Sequence, residues 1–364
     1  MAKRVGVDKW LFGVVLLLVL FGLVMVFSAS AVMAQSSLGS PYPYVMKQAL
    51  WAMLGLLAMV GLMQVDYRRY NNPKVVFPAV TLTMLMLVGV FAMKDSHNTH
   101  RWVRFGDLFT FQPSELAKPV LVLFLAYFLQ TRIHQMDDWK GTILRAVAVP
   151  LLFTALILKE PDLGTGMVCM AVTALMLYLA GARTKYFAIG AAAAAPVLYF
   201  MLFHVAFRRA RMLAFVNPEA DPRGSGFHIL QSLIAVGTGG IHGLGLMEGR
   251  QKLFYLPEVQ TDFIFANVCE ELGLIGALLV VGLFVALGYR GLRAAFLSTD
   301  PFARFLAFGI TTAILIQAFF NMSVVLALLP TKGIPLPFIS SGGTSVFITL
   351  AGLGVLLNIT REID

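Results

Sequence analysis

Apolar runs about one bilayer long recur from end to end of the chain, near positions 11–33, 45–64, 75–93, 113–130, 142–158, 164–181, 186–205, 263–289, 302–327 and 338–359. A hydrocarbon core roughly 30 Å thick is crossed by about 20 helical residues rising ~1.5 Å each. Within lipid every backbone N–H and C=O must be bonded internally, which runs of this length achieve as helices. Barrel strands would instead be shorter and would alternate apolar and polar positions. The pattern predicts an all-α polytopic membrane protein with about ten transmembrane helices. An even number brings both termini to one side.

Composition supports this class, with 59% of 364 residues hydrophobic and 13% charged. No Gly/Ser linker or low-complexity tract divides the sequence, so residues 1–364 read as a single membrane domain. Lys and Arg orient it: with the N-terminus inside, the inner segments carry fifteen, from Lys3 to Arg361, and the outer segments twelve. Six of those twelve (Arg208, Arg209, Arg211, Arg223, Arg250, Lys252) fall in one connection from about 206 to 262, which is too long to count in that rule. The reading is therefore N-terminus inside. The run from Trp10 to Ala34 exceeds a signal-peptide core and reads as a retained helix. The net charge of +9 follows topology rather than gathering into a basic stripe, which argues against nucleic-acid binding. Cys169 and Cys269 both lie inside predicted spans and form no metal-binding or disulfide framework.

The chemistry concentrates in the long outer loop. Asp262 stands at the entrance to an apolar run, where an ionisable group is costly to desolvate, and is the leading candidate for a functional residue. Ahead of it, Phe227 to Val236 places Ile229, Leu233 and Val236 at helical spacing, as in a helix lying on the membrane surface. Gly237 to Gly245 is glycine-rich, either a phosphate cradle of backbone N–H groups or a plain turn. Arg208, Arg209 and Arg211 could anchor lipid headgroups or face a substrate, and Arg250 and Lys252 flank the approach to Asp262. Guanidinium groups match phosphate oxygens. A carboxylate beside cations at the outer leaflet points to a lipid carrying a pyrophosphate.

Smaller constellations lie on the same side. Pro113 suits a first helical turn, and Glu115 and Lys118, three apart, form an ion pair just inside the membrane. That pair is either structural or substrate-binding. Pro119 lacks an N–H, freeing the carbonyl of Glu115. Lys159-Glu160-Pro161-Asp162 turns between two spans, with Asp162 placed to start a helix. His97 and His100 lack an evident third ligand, which argues against a metal site there. Glu270 and Glu271 lie roughly 12 Å beyond Asp262 on a continuous helix, too far for a glycosidase pair, and read as structural.

Several motifs make the reading specific. Gln251-Lys252-Leu253-Phe254-Tyr255-Leu256-Pro257-Glu258, Thr261-Asp262-Phe263-Ile264-Phe265-Ala266, Glu270-Glu271-Leu272-Gly273, Leu329-Pro330-Thr331-Lys332-Gly333 and Pro337-Phe338-Ile339-Ser340-Ser341-Gly342-Gly343 occur in order. With Gln112-Pro113-Ser114-Glu115 and Pro161-Asp162-Leu163-Gly164-Thr165 they resemble the SEDS family (shape, elongation, division and sporulation) over the whole chain. Gly22 to Ser30, Gln251-Lys252-Leu253 and Pro330-Thr331-Lys332-Gly333 resemble its division branch more than its elongation branch.

The resemblance implies a ten-span peptidoglycan glycosyltransferase of the bacterial cytoplasmic membrane, with both termini cytoplasmic and its active site outside. It would polymerise lipid II and release undecaprenyl pyrophosphate. Its partners would be a class B penicillin-binding transpeptidase and other proteins of the division or elongation machinery. Asp262 would be the catalytic acid-base residue. Arg250, Lys252, Glu115, Lys118, Arg101, Asp162, Lys332 and Ser340 would bind substrate, and a divalent cation, Mg or Mn, would sit near the pyrophosphate. Three positions depart from the family pattern: Gln260 where His is common, Ser341 where Tyr is usual, and Ala327 where Gly is frequent. The competing readings are a lipid II flippase and a non-enzymatic scaffold.

Overall fold

The computed structural model describes residues 6–92, 101–105 and 109–362. Its helices run in chain order as α1 (Lys9–Leu38), α2 (Pro43–Gln64), α3 (Pro73–Gly89), α4 (Pro113–Arg132), α5 (Leu144–Lys159), α6 (Leu163–Leu179), α7 (Thr184–Phe203), α8 (Ala206–Val216), α9 (Phe227–Gly239), α10 (Ile264–Leu297), α11 (Pro301–Val325) and α12 (Gly343–Thr360). Nine helical segments among the described residues are long and apolar enough to cross a membrane; α6, at 17 residues, is the slightly shorter tenth. The ten predicted spans are thus all helices. A short antiparallel hairpin, β1 (Val103–Phe105) with β2 (Phe109–Phe111), precedes α4.

Sequence chemistry fixes where the helices begin. Asp8 caps α1 by accepting from the N–H groups of Trp10 and Leu11, and Asp300 caps α11 through Phe302. Pro43, Pro73, Pro113 and Pro301 occupy first turns, where a missing N–H costs nothing. The core is threaded by α11, which packs on α4, α6 and α10, while α12 lies along α2. By contrast, α7 is almost wholly exposed beyond its first turn.

The two ends of the bundle differ. At one end the start of α1 meets the end of α12: the Asp8 N–H donates to Thr360, and Arg290 pairs with Asp8 at 2.6 Å. Tyr67 and Arg68 hold Glu362 there. The other end gathers the irregular segments: the Glu160–Asp162 turn, the connection from α9 to α10, and the connection from α11 to α12.

The connection from α7 to α10 folds as predicted into surface helices, but with a different buried face. On α9 the buried positions are Ile229, Ser232, Ala235 and Gly239, and Leu233 is exposed. Small residues turn inward because α9 packs closely on α10. At Gly239 an added Cβ would overlap the carbonyl of Cys269.

The glycine-rich segment beyond α9 likewise serves backbone packing rather than a phosphate cradle. The helix α10 is not continuous; Gly273 breaks it, with φ 63° and ψ −159°. The freed carbonyls of Glu270 and Glu271 accept from the N–H groups of Leu244 and Gly245, both at 3.0 Å. The N–H of Leu274 donates in turn to the Gly240 carbonyl at 2.9 Å. Non-helical backbone at this depth is tolerated because protein satisfies it.

The last span starts at Gly343 rather than near 338, since a local turn on the Leu336 carbonyl ends at Ser340 and the N–H groups of Ser341 and Gly342 donate to Gln260 and Gln48 instead of continuing a helix. Just after α11, Ala327 sits at φ 53°. A non-glycine residue in that left-handed region costs about 1–2 kcal/mol. Ala327→Gly should therefore raise the thermal midpoint of the purified protein, corresponding to about 1 kcal/mol. The opposite change at a glycine with positive φ, Gly273→Ala, should lower it.

Candidate functional site

Asp262 closes the loop ahead of α10, at the end of the bundle where the irregular segments meet. Its backbone is held firmly. The carbonyl of Asp262 accepts from Asn321 Nδ2 at 2.8 Å, and the carbonyl of Thr261 accepts from Ser340 Oγ at 2.5 Å. The carbonyl of Gln260 accepts from the Ser341 N–H at 2.8 Å. The carboxylate rests against Gly333, where an added Cβ would stand 2.7 Å from Oδ2. Only a glycine permits that approach.

The half-buried carboxyl of Asp262 is pushed up to about 7, chiefly by desolvation, with Glu258 and Asp162 adding to the rise. Arg211 and Arg101 oppose it. These are the cations that act on Asp262, and Arg211 is the one the sequence left undecided between headgroups and substrate. The clue was present: Arg208 and Arg211 lie three apart on the amphipathic α8 and share a face. Burial lowers the pKa of Arg211. Lys332 is lowered to about 8 by burial and then by Arg208, and its ammonium donates to the Met167 thioether at 2.7 Å. A thioether is a weak acceptor, so Lys332 is weakly satisfied beside a cationic neighbour.

The turn from α5 to α6 completes the rim. Arg101 donates from Nε to the Glu160 carbonyl at 2.7 Å and from its guanidinium to the Pro161 carbonyl. Asp162 caps α6 by accepting from the Thr165 N–H (3.1 Å) and Oγ1 (2.8 Å), and it accepts from Gln112 at 3.2 Å. Asp162 is thus the helix cap expected of it and also a neighbour that raises Asp262. Glu160 is fully buried with neither carboxylate oxygen paired among the described residues. Desolvation pushes it up to about 8, so it is protonated at neutral pH. A neutral carboxylic acid is far cheaper to bury than a carboxylate.

Glu115 and Lys118 form the expected ion pair, with both carboxylate oxygens 2.9 Å from Nζ and both residues buried. Gln317 Oε1 also accepts from Lys118, at 2.5 Å. Lys118 and Pro119 line a largely apolar groove between α4, α11 and α12, in which Gln317 and Thr349 are the other polar residues.

Other expectations give way. Lys252 is buried rather than free at the approach to Asp262, and it pairs with Glu271 at 2.7 Å. Ser28 on α1 donates to the same carboxylate at 2.6 Å and accepts from Lys252 at 3.2 Å. The triad ties the loop to α1 and α10, because a buried Glu271 requires a counter-charge. Glu270 serves the same loop by accepting from the N–H groups of Arg250 (2.9 Å) and Gln251 (3.2 Å), consistent with structural roles for both glutamates. The Arg250 side chain is exposed and is not among the charges acting on Asp262. Ser340 Oγ donates its one proton to Thr261 and accepts from the Leu336 N–H at 2.7 Å, so it fastens two loops and has no proton left to donate to a substrate. His97 and His100 lie outside the described residues. Among the described residues no group of three or more His, Cys, Asp or Glu could hold a metal ion.

With this geometry in view, comparison with known proteins is decisive. The profile of the FtsW/RodA/SpoVE family, described as "Cell cycle protein", matches residues 8–364. The chain belongs to that family. A relative from Geobacter metallireducens named "Probable peptidoglycan glycosyltransferase FtsW" is 43% identical over 94% of this chain and 91% of its own length. "Stage V sporulation protein E" of Bacillus subtilis is 38% identical over 99% of this chain and 98% of its own length. Among solved structures, one described as "Structural coordination of polymerization and crosslinking by a peptidoglycan synthase complex" superposes with a TM-score of 0.77 at 27% identity, covering 98% of both chains. The Thermus thermophilus "Rod shape determining protein RodA" gives 0.71 at 25% identity, covering 98% of this chain and 97% of that one.

The Lys252–Glu271 pair has a measurable consequence. Lys252→Met should destabilise the protein by about 3–5 kcal/mol, because it leaves Glu271 charged and unpaired in the interior. Adding Glu271→Leu should recover much of that loss in a thermal melt. Recovery in the double variant separates a structural pair from a substrate contact.

Proposed function

We infer that this FtsW/RodA/SpoVE-family chain is a peptidoglycan glycosyltransferase that polymerises lipid II, working in septal wall synthesis during cell division. The division assignment rests on relatives named FtsW at about 40% identity across nearly the whole chain. The observation that carries the chemistry is the Asp262 carboxyl, at about 7, fixed against Gly333 and flanked by Arg211 and Arg101.

Asp262 takes the proton from the 4-hydroxyl of the acceptor sugar. The freed oxygen attacks the anomeric carbon of the donor; that C–O bond forms as the bond to the pyrophosphate breaks. The pyrophosphate carries away the electron pair and needs charge neutralisation more than a proton. Arg211 and Arg101 serve this purpose, with Lys332 as a third cation, while Glu115 and Lys118 contact substrate through the groove they adjoin. A base near the working pH combines a populated ionised form with useful proton affinity. The divalent cation expected beside the pyrophosphate has no cage of three or more His, Cys, Asp or Glu among the described residues.

Residues 1–364 act as one membrane domain in the bacterial cytoplasmic membrane, with the termini cytoplasmic and the Asp262 end outside, as the inner excess of Lys and Arg supports. A class B penicillin-binding transpeptidase is the partner, in keeping with the synthase complex whose polymerising and crosslinking activities are coordinated.

Asp262→Asn should preserve the fold, since amide and carboxylate are nearly isosteric, and lower polymerisation of lipid II by about 10²–10⁴-fold. In the parent enzyme, kcat/KM should fall as pH drops through about 7, because the base is lost by protonation. Stability has the opposite sign. The folded-state pKa lies above the ordinary carboxylate value of 3.8, so Asp262 costs stability progressively as pH rises from there to about 7 and in full above that, where Asp262→Asn should melt no lower. Gel analysis of glycan strands tests the proposal. Polymerisation by Asp262→Asn at the parent rate defeats the catalytic role, and lipid II transfer across vesicles without polymerisation by either protein selects the flippase.

A further inference from the structure

Two buried carboxamides on α11 join the Glu115–Lys118 pair to Asp262. Gln317 accepts from Lys118 Nζ through Oε1 and donates from Nε2 to the Pro335 carbonyl at 2.9 Å. One helical turn further on, Asn321 donates from Nδ2 to two carbonyls, Ile334 at 2.7 Å and Asp262 at 2.8 Å. The orientation of each amide is determined by its partners. A carbonyl only accepts, so the Asn321 NH₂ must face Ile334 and Asp262, and an ammonium only donates, so Gln317 must turn its oxygen to Lys118. The neighbouring carbonyls of Ile334 and Pro335 thus form a single rung held from α11 at two points. One residue before that rung, Gly333 supplies the surface against which the Asp262 carboxylate rests.

We propose that Gln317 and Asn321 are positioning residues for the glycosyl transfer, acting as one unit that sets the Asp262 carboxylate relative to the Glu115–Lys118 pair through the Ile334–Pro335 backbone. The amides lie 4% and 1% exposed, respectively. Bonds at such sites are little weakened by competing water. Asn321 joins the Asp262 and Ile334 carbonyls, at the residue next to the Ser340 and Ser341 bonds that hold Thr261 and Gln260; withdrawing its NH₂ leaves two buried carbonyls without that donor and loosens Asp262 from Gly333. A displacement of about 1 Å at a reacting group can cost ~10²-fold in rate. Gln317 touches neither Asp262 nor Gly333, so its influence on the base must pass through the rung.

This inference rests on the glycosyltransferase reading, and the experiment separates the two. Parent, Asn321→Ala, Gln317→Leu and the double variant, each purified as the full chain with its transpeptidase partner if activity requires it, are compared for lipid II polymerisation and thermal midpoint. An inactive parent defeats the enzymatic reading. With an active parent, Asn321→Ala should lower kcat by about 10–10²-fold with little change in KM. Gln317→Leu should lower kcat in the same sense, and the double variant should fall short of the product of the two single effects, as expected for residues sharing one network.

A merely structural role would not move the pH profile. Asp262 is faced by Glu258 from its own loop, Asp162 from the α5–α6 turn, Arg101 from the connection between α3 and α4, and Arg211 from α8. Shifting the carboxyl among these groups should displace the acid limb of kcat/KM in folded Asn321→Ala. Gln317→Glu retains an acceptor for Lys118 but loses the donor to Pro335, and it provides the second measurement should an apolar variant fail to fold. Parent-like kcat and an unmoved acid limb in Asn321→Ala, or in Gln317→Glu where only that variant folds, overturn the proposal; so do independent, multiplying effects in the double variant.

Discussion

Irregular backbone gathered at one end of a membrane bundle must find partners for every N–H and C=O, since lipid offers none. Here the segment before α10 and the segment before α12 meet that demand largely through each other. Thr261 and Gln260 present carbonyls to Ser340 and Ser341, and Asn321 joins Asp262 to Ile334. Gln48 on α2 braces the far side, donating to the Ser340 carbonyl at 3.0 Å and accepting from the Gly342 N–H at 3.2 Å. Where the candidate base sits is therefore decided by main-chain pairing, and the side chains that matter most to it are small or amide-bearing. Anything larger than hydrogen at Gly333 would push the carboxylate away from the position those bonds define.

The same enclosure shapes the electrostatics. Desolvation raises both Asp262 and Glu160, and it lowers Lys332 and Arg211. The site is therefore hostile to its own charges before a substrate arrives. On the proposed reading, a pyrophosphate-bearing lipid would relieve that condition by bringing negative charge to desolvated cations while an acceptor hydroxyl meets a carboxylate that gains from protonation. Free energy withheld from the resting protein thereby becomes available during the reaction, in keeping with the tendency of functional sites to carry strongly shifted groups.

Much of the architecture was legible because lipid imposes it. Spans near 11–33 or 113–130 cannot be anything but helices, and the Glu115–Lys118 pair follows from a spacing of three on a buried face. Asp262 was legible as an ionisable group at the mouth of a span. What escaped were contacts made by backbone. The glycines from 237 to 245 look the same in sequence whether their N–H groups await a phosphate or, as here, fill the break at Gly273. Lys252 looks like any exposed loop lysine until its fold brings it against Glu271, nineteen positions on, and Ser28 on the first helix. Arg211 stood in the sequence among three arginines, and its spacing of three from Arg208 put those two on one face of α8 without saying what that face would meet. Gln317 and Asn321 gave no periodic or charge signal, since a buried amide in a span is recognisable only from the carbonyls it meets.

Two of the departures from the family pattern become intelligible in the same terms. Gln260 replaces a common histidine and Ser341 a usual tyrosine, and in this protein those two residues bond to each other through main-chain atoms, Ser341 N–H to the Gln260 carbonyl. A hydrogen bond between backbone groups is available to every residue except a proline donor, so both positions can change without loosening the loops that carry Asp262. The groups that raise and lower the Asp262 carboxyl are Glu258, Asp162, Arg211 and Arg101, none of them at position 260. An imidazole beside Asp262 is thus not needed to bring its proton affinity near neutrality; burial and two neighbouring carboxyls do so, against two guanidinium groups that, on the proposed mechanism, would meet the departing phosphate charge.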